Sequence, residues 1–371
     1  MIVRSPQDGA GAVRRFRATA VAILVTALAV KLALIGHIGG RVYGDVQRGV
    51  NFGYAVAEGR AAVTTHSEQS KTFVAPLLWY RVFTLGGVVA IKAANLALFI
   101  ALYVVQLLLA RRLVSDEAAL VSAILFAFYV GTNRNVVAGE PDDMVVSLCV
   151  AAAILVWTAT RRAGPAGLLI GIGFVFKFSA AIFAIGFAAF LVGERRWRDL
   201  AVAGVAAALP IALVCLVDGG QSLRGLVAST GVQSGYNSWP AVAFKLVSTG
   251  ILAGTAVAVW QQWRRPTDHG RLLVPLTVAY PVYIVLMRDA HAASFVGMLW
   301  LVFAGPLLAS WLLELTADPQ RRRSVAAVAL AAYVAAATAV TVYRLHHDTQ
   351  DLYLTRTDHH EPRTPFWLMG R

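Results

Sequence analysis

The sequence predicts an all-α polytopic membrane protein with about eleven transmembrane helices, on three observations. Apolar stretches long enough to cross a bilayer recur along nearly all of the 371 residues. The composition is 58% hydrophobic and 14% charged with a mean hydropathy of +0.65, too apolar for an ordinary soluble domain. Arginine clusters fall at alternate ends of the apolar stretches, as the positive-inside rule requires of a chain that threads back and forth.

Taken in order, Arg14, Arg15 and Arg17 precede the first span (18–38), and Arg111 and Arg112 follow the second (85–110). Arg161 and Arg162 follow the fourth (144–160), and Arg195, Arg196 and Arg198 follow the sixth. Arg264 and Arg265 follow the eighth, and Arg321, Arg322 and Arg323 precede the last. All of these clusters then share one side, the cytoplasm, with the N-terminus cytoplasmic and the C-terminus external. The first run is long and lacks a small-x-small cleavage site, so it reads as a helix rather than a signal peptide.

This path makes 1–343 a single integral-membrane domain with an external tail, 344–371. Its external loops are 39–84, 132–143 and 218–242. The net charge of +13 is dispersed between spans without a basic arm, which fits topology and anionic lipid and argues against nucleic acid. Cys149 and Cys215 both lie in predicted spans, so no disulfide is expected.

The first loop is patterned. Residues 46–57 (VQRGVNFGYAVA) place Val46, Val50, Gly53, Tyr54 and Ala57 at helical spacing, predicting an amphipathic helix on the membrane surface. Residues 73–83 (FVAPLLWYRVF) bring Trp79 and Tyr80 back toward the bilayer as interfacial aromatics. The fifth and sixth spans (167–176 and 179–193) are short, predicting a hairpin with Lys177 near its outer tip. A lysine at that depth needs a partner or a water-filled cavity.

The external side holds the candidate chemistry. Asp45 opens the surface helix, and its position suits either a helix N-cap or a partly desolvated general base. Glu140, Asp142 and Asp143 enter the fourth span, where acids interact favourably with a helix N-terminus. They also suit hydroxyl or hard-cation binding, though no spacing defines a metal site. Arg288 ends the ninth span beside Asp289 and His291, where it suits either binding of phosphate oxygens or an interfacial pairing with Asp289. Lys177 and Arg134 are further cations for a phosphate. Tyr54, Tyr236 and Trp239 are aromatics for stacking on a sugar or anchoring in the headgroup belt. The adjacent pairs His346-His347 and His359-His360 lack ligand geometry.

Several of these features occur in an order similar to that of a known family. A first span, an external Asp45, a helix with Tyr54 and Glu58-Gly59-Arg60, and the return Pro76-Leu77-Leu78-Trp79-Tyr80 resemble the opening of the GT-C glycosyltransferases. Gly139-Glu140-Pro141-Asp142-Asp143 is similar to that family's acidic second loop. Gly167 to Gly171 through Phe176-Lys177-Phe178 is similar to its "GLLLGLA…FKP" element. The chain departs from the pattern in having one proline in the return and Phe178 in place of a proline.

The resemblance implies an inverting transfer of a sugar, mannose first, from a polyprenyl-phosphate donor to a glycolipid, glycan or protein acceptor. Asp45 would be the base, and Arg288, Lys177 and Arg134 would face the donor phosphate. Glu140, Asp142, Tyr54, His291, Tyr236 and Trp239 would serve the sugar, the acceptor or a divalent cation such as magnesium or manganese. The richness in Ala, Val, Arg and Gly suggests a GC-rich bacterial genome, and so a bacterial plasma membrane, while the arginine topology puts the site on its external face. A transporter or flippase is the alternative from another class, together with a non-catalytic subunit of a glycan assembly complex. Ion-coupled transport is disfavoured because Lys31, Lys92 and Lys177 are the main ionisable residues near the spans, with no acid at a span centre.

Overall fold

The computed structural model describes residues 6–39, 41–43, 46, 50–51, 53–55, 58, 72–139, 141–221, 223–224, 238–288, 297–315, 319–347 and 352–354. A bilayer offers backbone groups no water, so each N–H and C=O must be paired within the protein, and a helix does this within one segment. The apolar stretches accordingly form α1 (Pro6–Ile38), α2 (Val74–Leu113), α3 (Asp116–Phe128) and α4 (Val130–Ala138). After these come α5 (Pro141–Thr160), α6 (Ala163–Phe176), α7 (Ala180–Gly193) and α8 (Trp197–Asp218). The chain continues through α9 (Trp239–Ser248), α10 (Ile251–Arg264), α11 (Asp268–Met287), α12 (Gly297–Glu314) and α13 (Pro319–His347).

Seven of these, α1, α2, α5, α8, α11, α12 and α13, are long and apolar enough to cross a membrane. The number rises to nine if the bent pairs α3/α4 (50°) and α9/α10 (65°) each form one span. The hairpin helices α6 and α7 have 14 residues each. That is about 21 Å of helix against a hydrocarbon core of about 30 Å, and the expected eleven would need both.

Packing sets which helices are central. Fully buried aromatics from α2 (Phe99), α3 (Phe126), α5 (Trp157), α7 (Phe183), α11 (Tyr280) and α12 (Phe303) form the core. Phe183 lies 5.9 Å from Tyr280 and 5.5 Å from Phe303 between ring centroids. Helices α8 and α13 are mostly exposed. Cys149 and Cys215 are free.

Helices α6 and α8 run parallel in close contact because small residues face each other at matching four-residue steps. A methyl group on Gly167 would sit 2.1 Å from the Ala203 carbonyl oxygen, and one on Gly171 would sit 2.3 Å from that of Ala207. Gly167→Ala therefore forces the pair apart and is expected to cost about 1–3 kcal/mol, read as a lower melting temperature in detergent.

Three expectations are corrected. Residues 132–138 and 141–143 are helical rather than loop: α4 bends away from α3 at Tyr129, and its residues from Gly131 to Ala138 are all buried. The polar run Thr132-Asn133-Arg134-Asn135 suggested coil, but its side chains sit inside the protein. Residues 73–83 and the second span are one helix, α2, broken at Gly86 and Gly87, where Gly87 takes a positive φ of 62°. The chain stays helical to His347 rather than leaving the domain at Arg344, and strand β2 (Leu352–Leu354) pairs antiparallel with β1 (Arg41–Tyr43). Of the third loop, 225–237 lie outside the described residues.

The amphipathic reading of 46–57 agrees with what is described. Residues 46, 50, 51 and 53–55 are helical, Val46, Val50 and Gly53 are buried, and Tyr54 is half-buried.

Candidate functional site

The helix ends opposite the arginine clusters meet around the first turn of α5. Pro141 opens that helix, and Asp142 and Asp143 follow in its first turn, both buried. Carboxylates at a helix N-terminus face the positive end of the backbone dipoles, but that alone does not offset burial of two charges. Each has a named partner. The Trp79 indole N–H donates to Asp142 Oδ1. Lys177 Nζ lies 2.8 Å from Asp143 Oδ1.

These partners arrive from different elements. Trp79 lies on the part of α2 before its glycine break, where it packs with Val42, Val46, Ala75 and Ile91. Val145 of α5 and Phe176 of α6 pack on the same cluster. Lys177 follows α6 in an extended conformation (φ −158°, ψ 135°) that ends the helix and leads into the hairpin. Thr72 Oγ1 donates to the Val175 carbonyl at 2.6 Å, tying the first loop to the same hairpin.

The first loop is fixed at further points. Lys92 Nζ donates to the Gly39 carbonyl at 2.5 Å, at the end of α1. Gly53 abuts Tyr80 and the Pro76 carbonyl so closely that a Cβ would stand 2.4 Å and 2.7 Å from them. Tyr54 meets Tyr80 edge to face at 5.8 Å. Val42 and Val46, buried beside Trp79, flank Asp45 in sequence.

Helix α4 is held from behind. Asn95 Nδ2 donates to the carbonyls of Asn135 and Gly139, both at 3.2 Å, which sets the turn into α5. The bend between α3 and α4 frees carbonyls inside the bundle, and buried side chains take them up. Lys31 Nζ donates to the Ala127 carbonyl at 2.6 Å and to Asn133 Oδ1 at 2.9 Å, 4.1 Å over the Phe99 ring. Asn133 Nδ2 donates to the Phe128 carbonyl at 3.2 Å. Arg134 is buried on this helix.

Arg288 caps α11 in the left-handed region (φ 50°), with its guanidinium 4.8 Å from the ring of Trp239 at the start of α9. The structure thus brings Asp142 to Trp79, Lys177 to Asp143, Tyr54 to Tyr80, and Arg288 to Trp239. Asp45, Glu140, Tyr236 and His291 lie outside the described residues, as do Asp289, His359 and His360. Among the described residues no three His, Cys, Asp or Glu side chains stand together as a metal site. A cation at Asp142 and Asp143 would need further oxygen ligands.

The sequence presents Trp79 as an interfacial ring and gives Lys31, Asn95 and Asn133 no role in the site. The signal that could have found some of them is the cost of a buried lysine, which demands acceptors elsewhere in the chain.

Residues 70–217 match the family model described as dolichyl-phosphate-mannose-protein mannosyltransferase. Among solved structures, the chain is similar to the Archaeoglobus fulgidus oligosaccharyltransferase in its apo form, at 13% identity and a TM-score of 0.55. That likeness covers 90% of this chain and 56% of the archaeal one, so the chain spans little more than half the length of that enzyme. No curated protein matches the chain.

Proposed function

We propose that this chain is a GT-C membrane glycosyltransferase, a reading supported by the family match over residues 70–217 and by the likeness in fold, and that it transfers a sugar from a polyprenyl phosphate to an acceptor hydroxyl. Mannose is the first choice of sugar, and a glycolipid, glycan or protein on the outer face of a bacterial plasma membrane is the acceptor. The observation that carries this reading is that the buried Trp79–Asp142 and Asp143–Lys177 pairs both fall within residues 70–217, the segment matched to mannosyltransferases.

In the proposed step Asp45 takes the proton of the acceptor hydroxyl, whose oxygen attacks the anomeric carbon. The bond from that carbon to the phosphate oxygen breaks, and its electron pair leaves on the polyprenyl phosphate. Phosphate departs without protonation, so one base suffices where a glycosidase needs two carboxyl groups. Arg288, oriented by stacking on Trp239, neutralises the leaving charge, with Lys177 and Arg134 as further cations. Asp142 and Glu140 hold acceptor or sugar hydroxyls or a divalent cation. Tyr54, Tyr236, Trp239 and His291 line the sugar.

Purified protein in lipid, given radiolabelled polyprenyl-phospho-mannose, -arabinose or -glucose with candidate acceptors, is expected to move label onto an acceptor from one donor. Vesicles that carry a solute across the bilayer while leaving every donor intact would make the chain a transporter instead.

A further inference from the structure

At the opposite end of the bundle, the close contact between α6 and α8 has an electrostatic consequence. The two helices are parallel and matched at Gly167 with Ala203 and Gly171 with Ala207, so their N-termini lie side by side. Neither N-cap, Arg162 for α6 or Arg196 for α8, caps its helix with its side chain. Two adjacent positive dipole ends attract an anion.

The side chains nearby add to the demand. Arg162, Arg195 and Arg198 are exposed and have no carboxylate partner among the described residues, and neither has Arg161. The two acids of this region are engaged, Asp199 with Arg196 at 2.6 Å and Glu194 with Arg271 at 3.6 Å. Trp157, 1% exposed, carries two guanidinium groups, Arg161 Cζ at 4.5 Å and Arg196 Cζ at 5.2 Å from its ring centroid. Its indole N–H is buried and has no acceptor among the described residues.

We propose that the paired N-termini of α6 and α8, with Arg161, Arg162, Arg195 and Arg198, form a binding site for the phosphate of an anionic phospholipid headgroup. The lipid source follows from the surface below the site. Trp197, Val202, Val205, Leu209 and Leu213 of α8 are exposed along the helix, a track on which acyl chains lie once the headgroup is seated.

The test uses the full chain in neutral detergent, with native mass spectrometry reading retained phosphatidylglycerol against phosphatidylcholine. Wild type is expected to prefer phosphatidylglycerol, and Arg162→Gln/Arg195→Gln/Arg198→Gln to lose that preference by at least about tenfold. These three side chains are exposed and make no described contact, so the variant folds. Arg14→Gln/Arg15→Gln, at the same end but on α1, is expected to keep it. An equal loss in that control would show diffuse charge and overturn the site. Displacement of the lipid by equimolar inorganic phosphate would overturn the lipid assignment.

Discussion

Asp45→Asn is expected to lower sugar transfer by about 10²–10⁴-fold, the usual contribution of a positioned general base. The substitution separates the two roles that the position allows. Asparagine caps a helix as well as aspartate does, so if Asp45 were only a cap the variant would fold and transfer sugar normally. If it is the base, the variant folds, binds donor and stops at the proton transfer. The measurement is the initial rate of transfer beside the melting temperature, because an unchanged melting temperature shows that the cap survives.

Lys177→Met is expected to destabilise the protein by about 3–5 kcal/mol, since it removes the positive charge that stands 2.8 Å from the buried Asp143 carboxylate. The 2.8 Å contact joins the α6–α7 turn to the first turn of α5, so its loss loosens two elements of the candidate site together. Lys177→Met/Asp143→Asn removes both charges, and thermal stability in detergent is expected to recover most of the loss. The double variant also divides the roles of Lys177. Recovered stability with lost transfer, where Asp143→Asn alone still transfers sugar, assigns the lysine to the donor phosphate as well as to Asp143. Recovered stability with normal transfer makes it a fastener.

Where the chain's periodicity is local, the sequence was informative. Val46, Val50 and Gly53 are spaced for one helix face, and the structure buries all three. Lys177 marked a point that needed a partner, but nothing local named Asp143, because the pairing joins separate elements. The α4 segment was misread for a physical reason. Asn133 and its neighbours are as polar as a loop, and they are helical because Lys31, a hundred or so residues earlier, supplies a hydrogen bond to Asn133 in the interior. Trp79 carries the same lesson: an indole suits the headgroup belt by composition, and only the fold shows Asp142 accepting its N–H. The β1–β2 pairing was beyond reach, because three-residue strands at opposite ends of the chain leave no pattern in either. The candidate base itself rests on sequence order and on Val42 and Val46 beside it.

The central claim is a single displacement at the anomeric carbon with polyprenyl phosphate as the leaving group. The most direct measurement follows both products of a labelled polyprenyl-phospho-mannose turnover, counting released polyprenyl phosphate and determining the anomeric configuration of the new linkage by NMR. The account predicts one polyprenyl phosphate per mannose transferred, with inverted configuration. Retained configuration, or mannose appearing on an acceptor without released polyprenyl phosphate, would contradict it.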